Sequence, residues 1–363
     1  MSNLFDPVKI GRLKLKNRIF MPPMTRSRAD ENGVQGPYAA NYYAQRSSAG
    51  LIIAEATQIS IQGKGYIDTP GIYNDAQITA WKKITDAVHQ KGGTIFCQLW
   101  HVGRISHTSL LPKGEQPVAP SAIRANAQTF IAGGTADVSM PRALDIHEIK
   151  AIVQDYKHAA QAAKAAGFDG IEIHAANGYL IDQFIRDQTN QRSDIYGGSI
   201  ENRSRFLFEV FDAIKDVWPS DLIGVRFAPT VTFNDISDSD PGATFGYIYE
   251  ELGKRNIAYI HVCEGAPGMA ETDEKDQKIL KNLRQKWTGF YMVNGGFDFA
   301  SGQKAIKTGY ADAVSYGRPF IANPDLPKRF EQNADLNEPD MNTFYGGDDH
   351  GYTDYPFLQG NVA

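Results

Sequence analysis

A single α/β domain built as a (β/α)8 barrel is the fold that residues 1–363 predict, and three observations predict it. Short apolar runs alternate with segments of helical periodicity along the whole chain, giving eight strand-helix units with no linker-like break. The runs are apolar on both faces, as strands of a parallel sheet covered by helices must be. The residues just past their C-terminal ends are unusual in kind: Thr25, Ala56, Gln98, His174, Arg226, Asn294-Gly295-Gly296 and Gly317-Arg318. In barrels of this type the reactive groups sit at those ends.

The elements follow in chain order. Val8 and Ile10, then Leu13 and Leu15, alternate with polar residues around a Gly11-Arg12 turn, so residues 1–16 contain a β-hairpin expected to plug the lower end of the barrel. The strands are expected at residues 18–21, 51–55, 94–98, 170–174, 223–227, 258–262, 290–293 and 313–316. Asp75 caps a helix with apolar positions Ile78, Trp81, Ile84 and Val88, stopped by Gly92-Gly93. A stretch punctuated by Gly and Pro, residues 100–143, is inserted after the third strand, and loops of that length in a compact domain usually serve function, here as a rim over the site. Asp145 and Glu148 form a capping box before Ile149, Ile152, Val153 and Tyr156, and Ser199 caps the helix of Phe206, Leu207, Val210 and Ile214, which stops near Pro219.

A hydrophobic content of 42% over 363 residues suffices for one continuous core. The net charge of -5 and the scattered basic residues argue against nucleic acid as a partner. Met1 to Phe20 never builds an apolar signal segment, and no later stretch is long enough to span a bilayer, so a cytoplasmic protein with a small-molecule partner and no membrane association is expected. Monomer and homodimer stay open. The two cysteines, Cys97 and Cys263, lie in strand-like runs and read as reduced, buried thiols.

Glycine pairs or Gly-Arg after the seventh and eighth strands are where a barrel commonly binds phosphate, with backbone N–H groups at Gly295, Gly296 and Gly317 and a bidentate charge at Arg318. A single pair would read as a tight turn beside a surface arginine; two at adjacent strand ends favour phosphate. Gln98 and Arg226 end otherwise apolar strands, and inside a barrel mouth each needs a polar partner. A planar heterocycle would supply one; an internal ion pair for Arg226 and a cap for Gln98 are the alternatives. Thr25 would read as a turn residue if it did not stand at a strand end. His174, Asn177 and Tyr179 fall on one turn, offering two donors to an oxygen and a weak acid beside it, which suits polarising a carbonyl or nitro group while a neighbouring carbon is protonated. His101 and His107 lack carboxylate neighbours at ligand spacing, so no metal is expected. Tyr66, Trp100, Phe344 and Tyr345 are candidate aromatic walls.

The run Ser193-Asp194-Ile195-Tyr196-Gly197-Gly198-Ser199-Ile200-Glu201-Asn202-Arg203, with the strand-end residues above, resembles the old yellow enzyme family of FMN-dependent ene-reductases over essentially the whole chain. The resemblance implies a TIM barrel holding FMN noncovalently, with Thr25 near O4 and N5, Ala56 and Gln98 along the isoalloxazine, Arg226 beside N1 and O2, and Gly295, Gly296, Gly317 and Arg318 at the phosphate. Pro23, Met24, His174 and Phe344 complete the implied flavin contacts. It further implies that His174 and Asn177 bind the substrate's electron-withdrawing oxygen, that Tyr179 donates the proton, and that Tyr66, Trp100 and Tyr345 line the substrate pocket. The implied activity is ping-pong: NADPH or NADH reduces the flavin, and the hydride then passes from N5 to the β-carbon of an α,β-unsaturated carbonyl or nitro compound. Nitrate esters and nitroaromatics are further acceptors. Three positions depart from the family pattern: Asn177 stands where many bacterial relatives have a second histidine, Met24 replaces the more usual leucine, and Asn234 sits where some relatives have glutamine. Two rivals compete with this reading. A barrel lyase or isomerase acting on a phosphorylated substrate lacks an obvious base here, and a flavin-binding sensor or storage protein would leave the pocket acids without a use.

Overall fold

A computed structural model describes residues 2–265 and 273–358. Among these, eight parallel barrel strands run in order Ile19–Phe20, Ile52–Ile53, Ile95–Trp100, Gly170–His174, Ile223–Phe227, Tyr259–Cys263, Tyr291–Asn294 and Ala313–Ser315. Each pairs with the next through strands three to eight, the eighth pairs with the first, and the second pairs with the third. A parallel bridge between Met21 and Ile52 closes the ring, with Met21 N–H on Leu51 O and Ile53 N–H on Met21 O, both at 2.9 Å. Closure removes both sheet edges. A further short strand, Thr57–Gln58, also pairs with the third and was not expected from the sequence.

The strands are short and, apart from Asn294 at the end of the seventh, buried from end to end, as in Gly170–His174. Outside them, helices Asp75–Gln90, Ile146–Ala165, Ile200–Lys215, Pro241–Gly253, Glu274–Lys286 and Phe299–Lys307 lay their apolar stripes on the sheet. The capping box is present in both directions, and Ser199 caps the Asn202 N–H. One capping expectation needs correction: helix Asp75–Gln90 is capped by Asn74, not Asp75. Asn74 holds the extended backbone that an N-cap requires and its Oδ1 accepts from Gln77 N at 3.0 Å, leaving Asp75 as the first helical residue.

The hairpin pairs Val8–Ile10 with Leu13–Leu15. Arg12 meets Asp221 at 2.8 and 3.0 Å, just before the fifth strand begins, so the hairpin lies at the N-terminal end of the barrel, opposite the strand ends that carry the site. The rim segment begins one residue later than expected, because Trp100 is the last residue of the third strand. It is not structureless: Val118–Ala119 pairs with Arg142–Ala143, and Gln128–Ile131 forms a hairpin with Gly134–Asp137. That hairpin is tied to the loop after the second strand by Ile67 N–H on Phe130 O at 3.0 Å and by the Thr129 hydroxyl on Gly65 O. No helix of the described residues is long and apolar enough to cross a membrane.

Two glycines make room inside the barrel for aromatic rings. A Cβ at Gly170 would overlap the Phe96 ring and one at Gly224 would overlap the Tyr259 ring, while those rings lie 6.1 Å apart. Tyr259 is fully buried and its hydroxyl is bonded, so it has little freedom to yield. Gly224→Ala should therefore destabilise the fold by about 1–3 kcal/mol, the usual cost of overpacking. Urea unfolding checks this, and an unchanged midpoint would mean the Tyr259 ring can shift.

Candidate active site

Pro23, Thr25, Ala56, Gln98, Trp100, His174, Asn177, Tyr179 and Arg226 line one cavity of about 90 Å³ at the C-terminal ends of the first five strands. Register explains the gathering. His174 is paired with Arg226, and Arg226 with His261, while Gln98 is paired with Glu172 on the neighbouring strand, so their side chains meet in rows across the barrel mouth.

The turn after the fourth strand places the proposed acid and donors. Asn177 adopts φ 60°, a left-handed conformation that asparagine tolerates better than most residues, and its carbonyl accepts from Asn234 Nδ2 at 2.9 Å. The turn is pinned from helix Leu180–Ile185. Asp182 Oδ2 accepts from Gly178 N at 2.9 Å while its other oxygen pairs with Arg186 at 2.8 Å. Gln183 Nε2 reaches both Gly178 O, at 2.7 Å, and Val102 O, at 2.9 Å. Asp182 and Gln183 escape sequence reading because they look like ordinary helix surface; their roles depend on the turn that they hold.

Tyr179 is buried, its hydroxyl 3.1 Å from that of Tyr66, and its ring stands edge-on to Trp100 at 5.0 Å. Burial, with Tyr66 close by, raises the Tyr179 phenol well above its usual value, and burial pushes Tyr66 up to about 12. Both therefore hold their protons at neutral pH. His174 is buried with Nδ1 unpartnered, and burial together with the Arg226 charge lowers its pKa well below the usual value. Folded His174 is therefore neutral.

Behind the cavity lies a polar network that sequence reading missed. Glu172 accepts from Gln98 Nε2 at 2.8 Å, Tyr259 Oη at 3.0 Å and His261 Nδ1 at 2.9 Å. His261 Nε2 contacts the Ser315 hydroxyl at 2.9 Å. Arg226 Nη1 is 3.4 and 3.2 Å from the two His261 nitrogens, Nη2 donates to Asn294 Oδ1 at 2.9 Å, and Nε is buried without a partner. The expected alternative of an internal ion pair for Arg226 is thus not what forms. A signal for Glu172 and His261 existed, since each is a charged or titratable residue inside an apolar strand, but both stand within strands rather than at their ends.

The remaining candidates sit around this centre. Gly295 has φ 126°, and a Cβ there would come within 2.7 Å of Gly265 N; Gly296 has φ 78° and open space before it. Gly317 begins helix Gly317–Ala322 beside Met24, followed by the exposed Arg318. Asn294 links the two strand ends, donating Nδ2 to Ser315 O at 2.9 Å. Phe344 is buried with its carbonyl on Arg26 Nε at 2.9 Å. Tyr345 is not part of the cavity lining; it stands at the rim, 56% exposed, 5.8 Å from the Phe130 ring. His101, in the loop just past the third strand, is buried, accepts from Gly103 N at 3.1 Å, and is pushed down to about 3 by burial. Among the described residues no group of His, Cys, Asp or Glu is placed to hold a metal ion. Cys97 and Cys263 are free and buried.

A barrel with a buried arginine, a neutral histidine, an asparagine and a protonated phenol at its C-terminal mouth has the architecture of a flavin oxidoreductase. The chain belongs to the old yellow enzyme family: residues 3–337 match the model of the NADH:flavin oxidoreductase / NADH oxidase family. It is 46% identical over 359 residues to 12-oxophytodienoate reductase 1 of Oryza sativa subsp. japonica, covering 98% of this chain and 93% of that one. The structure of morphinone reductase in complex with tetrahydroNAD is similar with a TM-score of 0.93, 48% identity and 99% coverage of both chains. The old yellow enzyme homologue from Zymomonas mobilis is similar with a TM-score of 0.94 and 43% identity, covering 98% of this chain and all of that one. The protein is accordingly an FMN-dependent oxidoreductase using a nicotinamide reductant, and the lyase, isomerase and storage readings fall away. The buried Arg226 Nε and His174 Nδ1, both on residues lining the cavity, suit a flat ligand rich in ring acceptors.

Three buried histidines, His101, His174 and His261, have pKa values lowered by burial, His261 to about 4. Each stays neutral when folded, yet is protonated in the unfolded chain below about pH 6.5. The unfolded state then binds more protons, so stability falls as pH falls. Each contributes a slope of about 1.4 kcal/mol per pH unit between roughly pH 6 and its folded value. His101→Gln should flatten the pH dependence of the urea-unfolding free energy between pH 6 and 4.5 by about that amount; an unchanged slope would mean that folded His101 titrates normally.

Proposed function

We propose that the protein reduces the C=C bond of α,β-unsaturated carbonyl and nitro compounds, adding a hydride to the β-carbon and a proton to the α-carbon while NAD(P)H is oxidised. The single observation that carries this reading is the Tyr179 hydroxyl, protonated and buried in the same cavity as the neutral donors His174 and Asn177. The names of two relatives, reductases of 12-oxophytodienoate and of morphinone, also favour oxo compounds.

When bound, FMN supplies the hydride chemistry. Thr25, Ala56, Gln98 and Arg226 would hold its ring system, flanked by Pro23, Met24, His174 and Phe344, and Gly295, Gly296, Gly317 and Arg318 its phosphate. The rest is the work of the chain's own side chains. His174 and Asn177 each donate to the substrate's activating oxygen, where negative charge grows as the β-carbon gains a hydride; fixed neutral dipoles stabilise that charge without reorganising. Tyr179 gives its proton to the α-carbon, and the Tyr66 hydroxyl, already within hydrogen-bond distance, donates to the phenolate oxygen left behind. Trp100 and Tyr66, stacked at 5.7 Å, wall the pocket and keep water from the reacting carbons. Nitrate esters and nitroaromatics present the same kind of oxygen to the same donors.

Phenols should bind over the oxidised flavin, since a phenolate oxygen mimics the charge developing on the substrate. Titration should give a long-wavelength charge-transfer band that the doubly substituted His174→Ala, Asn177→Ala protein, still loaded with FMN, no longer shows. An identical band and affinity would remove both residues from oxygen binding.

Tyr179→Phe should leave reduction of the flavin by NADPH nearly unchanged and slow its reoxidation by an enone about 10²- to 10⁴-fold, the usual value of a general acid. Stopped-flow traces of the two half-reactions separate the outcomes. Equal losses in both would point to displaced pocket geometry instead.

A further inference from the structure

We infer that Glu172 and His261, which lie behind the cavity, are positioning residues: they hold the Arg226 cation toward the pyrimidine edge of FMN and thereby set how readily the flavin is reduced. The inference rests on the reading above that Arg226 faces N1 and O2.

Arg226 is buried, and the partners of its guanidinium are an imidazole and an amide. The nearby carboxylate of Glu172 is taken up by three donors, Gln98, Tyr259 and His261. An ionised carboxylate is acceptor-only, which matches three donors converging on it. The imidazole stands between the two charges. Both His261 nitrogens have partners other than the guanidinium, Glu172 on one side and Ser315 on the other. Nη1 of Arg226 is nearly equidistant from those nitrogens, at 3.4 and 3.2 Å, which places it over the ring rather than in its plane. Burial and the Arg226 charge push His261 down to about 4, so the spacer is neutral. In a low-dielectric interior an unscreened arginine and glutamate attract strongly. The ring prevents their direct contact, leaving the cation at the cavity and the carboxylate fixed behind Gln98.

Glu172 also sets what Gln98 offers. A carboxylate can only accept, so the amide must turn an N–H toward it, and its carbonyl oxygen is then directed elsewhere.

Reduction adds electron density to the pyrimidine edge of an isoalloxazine. A cation there favours the reduced ring and a carboxylate behind it opposes, so the two positions have effects of opposite sign. Glu172→Gln keeps the side-chain volume and removes the opposing charge; the FMN-loaded protein should bind reduced over oxidised flavin at least tenfold more strongly than before, raising the two-electron midpoint potential by about 30 mV. His261→Ala lets Arg226 move onto Glu172 and should lower the potential by a comparable factor, with His261→Gln, which refills the space, falling between it and the native protein.

The experiment is a reductive titration of each FMN-loaded protein against reference dyes, with Arg226→Met alongside. Opposite shifts for Glu172→Gln and His261→Ala establish the inference. Shifts of the same sign, or both within twofold, about 9 mV, overturn it, because a merely structural role lowers flavin content without moving the bound fraction in opposite directions. Should His261→Ala retain no FMN, the sign of the Glu172→Gln shift decides: upward supports, unchanged or downward overturns. If Arg226→Met leaves the potential unmoved, the placement of Arg226 itself is wrong; if it lowers the potential while the other two variants do nothing, only the network inference fails.

Discussion

Arg226 brings a positive charge into the mouth of the barrel with a neutral imidazole and an amide as its guanidinium partners. Much of the site follows from that arrangement. The charge helps keep His174 and His261 neutral, and it gives the cavity a fixed polarity suited to an electron-accepting ring. It is tolerated because the strand register supplies Asn294 and His261 at the right height and because Glu172 balances it one layer away. Moving any of these residues by one position along its strand would turn its side chain to the outside of the barrel.

The acid-base groups around the cavity share one property: none of those with shifted values titrates in the neutral range. Burial lifts Tyr179 and Tyr66 and depresses His174 and His261. The site thus keeps one protonation state over a broad span of pH. In the reaction proposed for Tyr179, an acid with so high a pKa gives up its proton only to a strongly basic carbon, which would tie protonation to the arrival of the hydride.

Much of this was legible in the chain. Gln98, His174 and Arg226 were found because a polar residue closing an apolar run has few structural reasons to be there, and barrel topology puts all such ends on one rim. Glu172 and His261 break the same kind of run, yet nothing local says that two residues 89 positions apart meet at 2.9 Å. The barrel had to be closed first. Asn74 and Asp75 are both competent caps, and only the backbone conformation chose between them. Within the rim segment, pairs such as Val118–Ala119 with Arg142–Ala143 are two residues long, below what periodicity can reveal. Gln183 holds the turn before Tyr179 through backbone carbonyls, contacts that leave no trace in residue pattern.

The hairpin Gln128–Asp137 touches the barrel through the backbone at Gly65 and Ile67, the loop that carries Tyr66, while the cation and its network are built from the strands themselves. Roof and floor are therefore separable parts of the chain. Insertions, deletions or grafts in the hairpin can reshape the entrance to the cavity without disturbing the polar network beneath. A lineage carrying this barrel can diversify its diet by duplicating the gene and letting one short ribbon drift, and a designer can do the same by exchanging that ribbon alone.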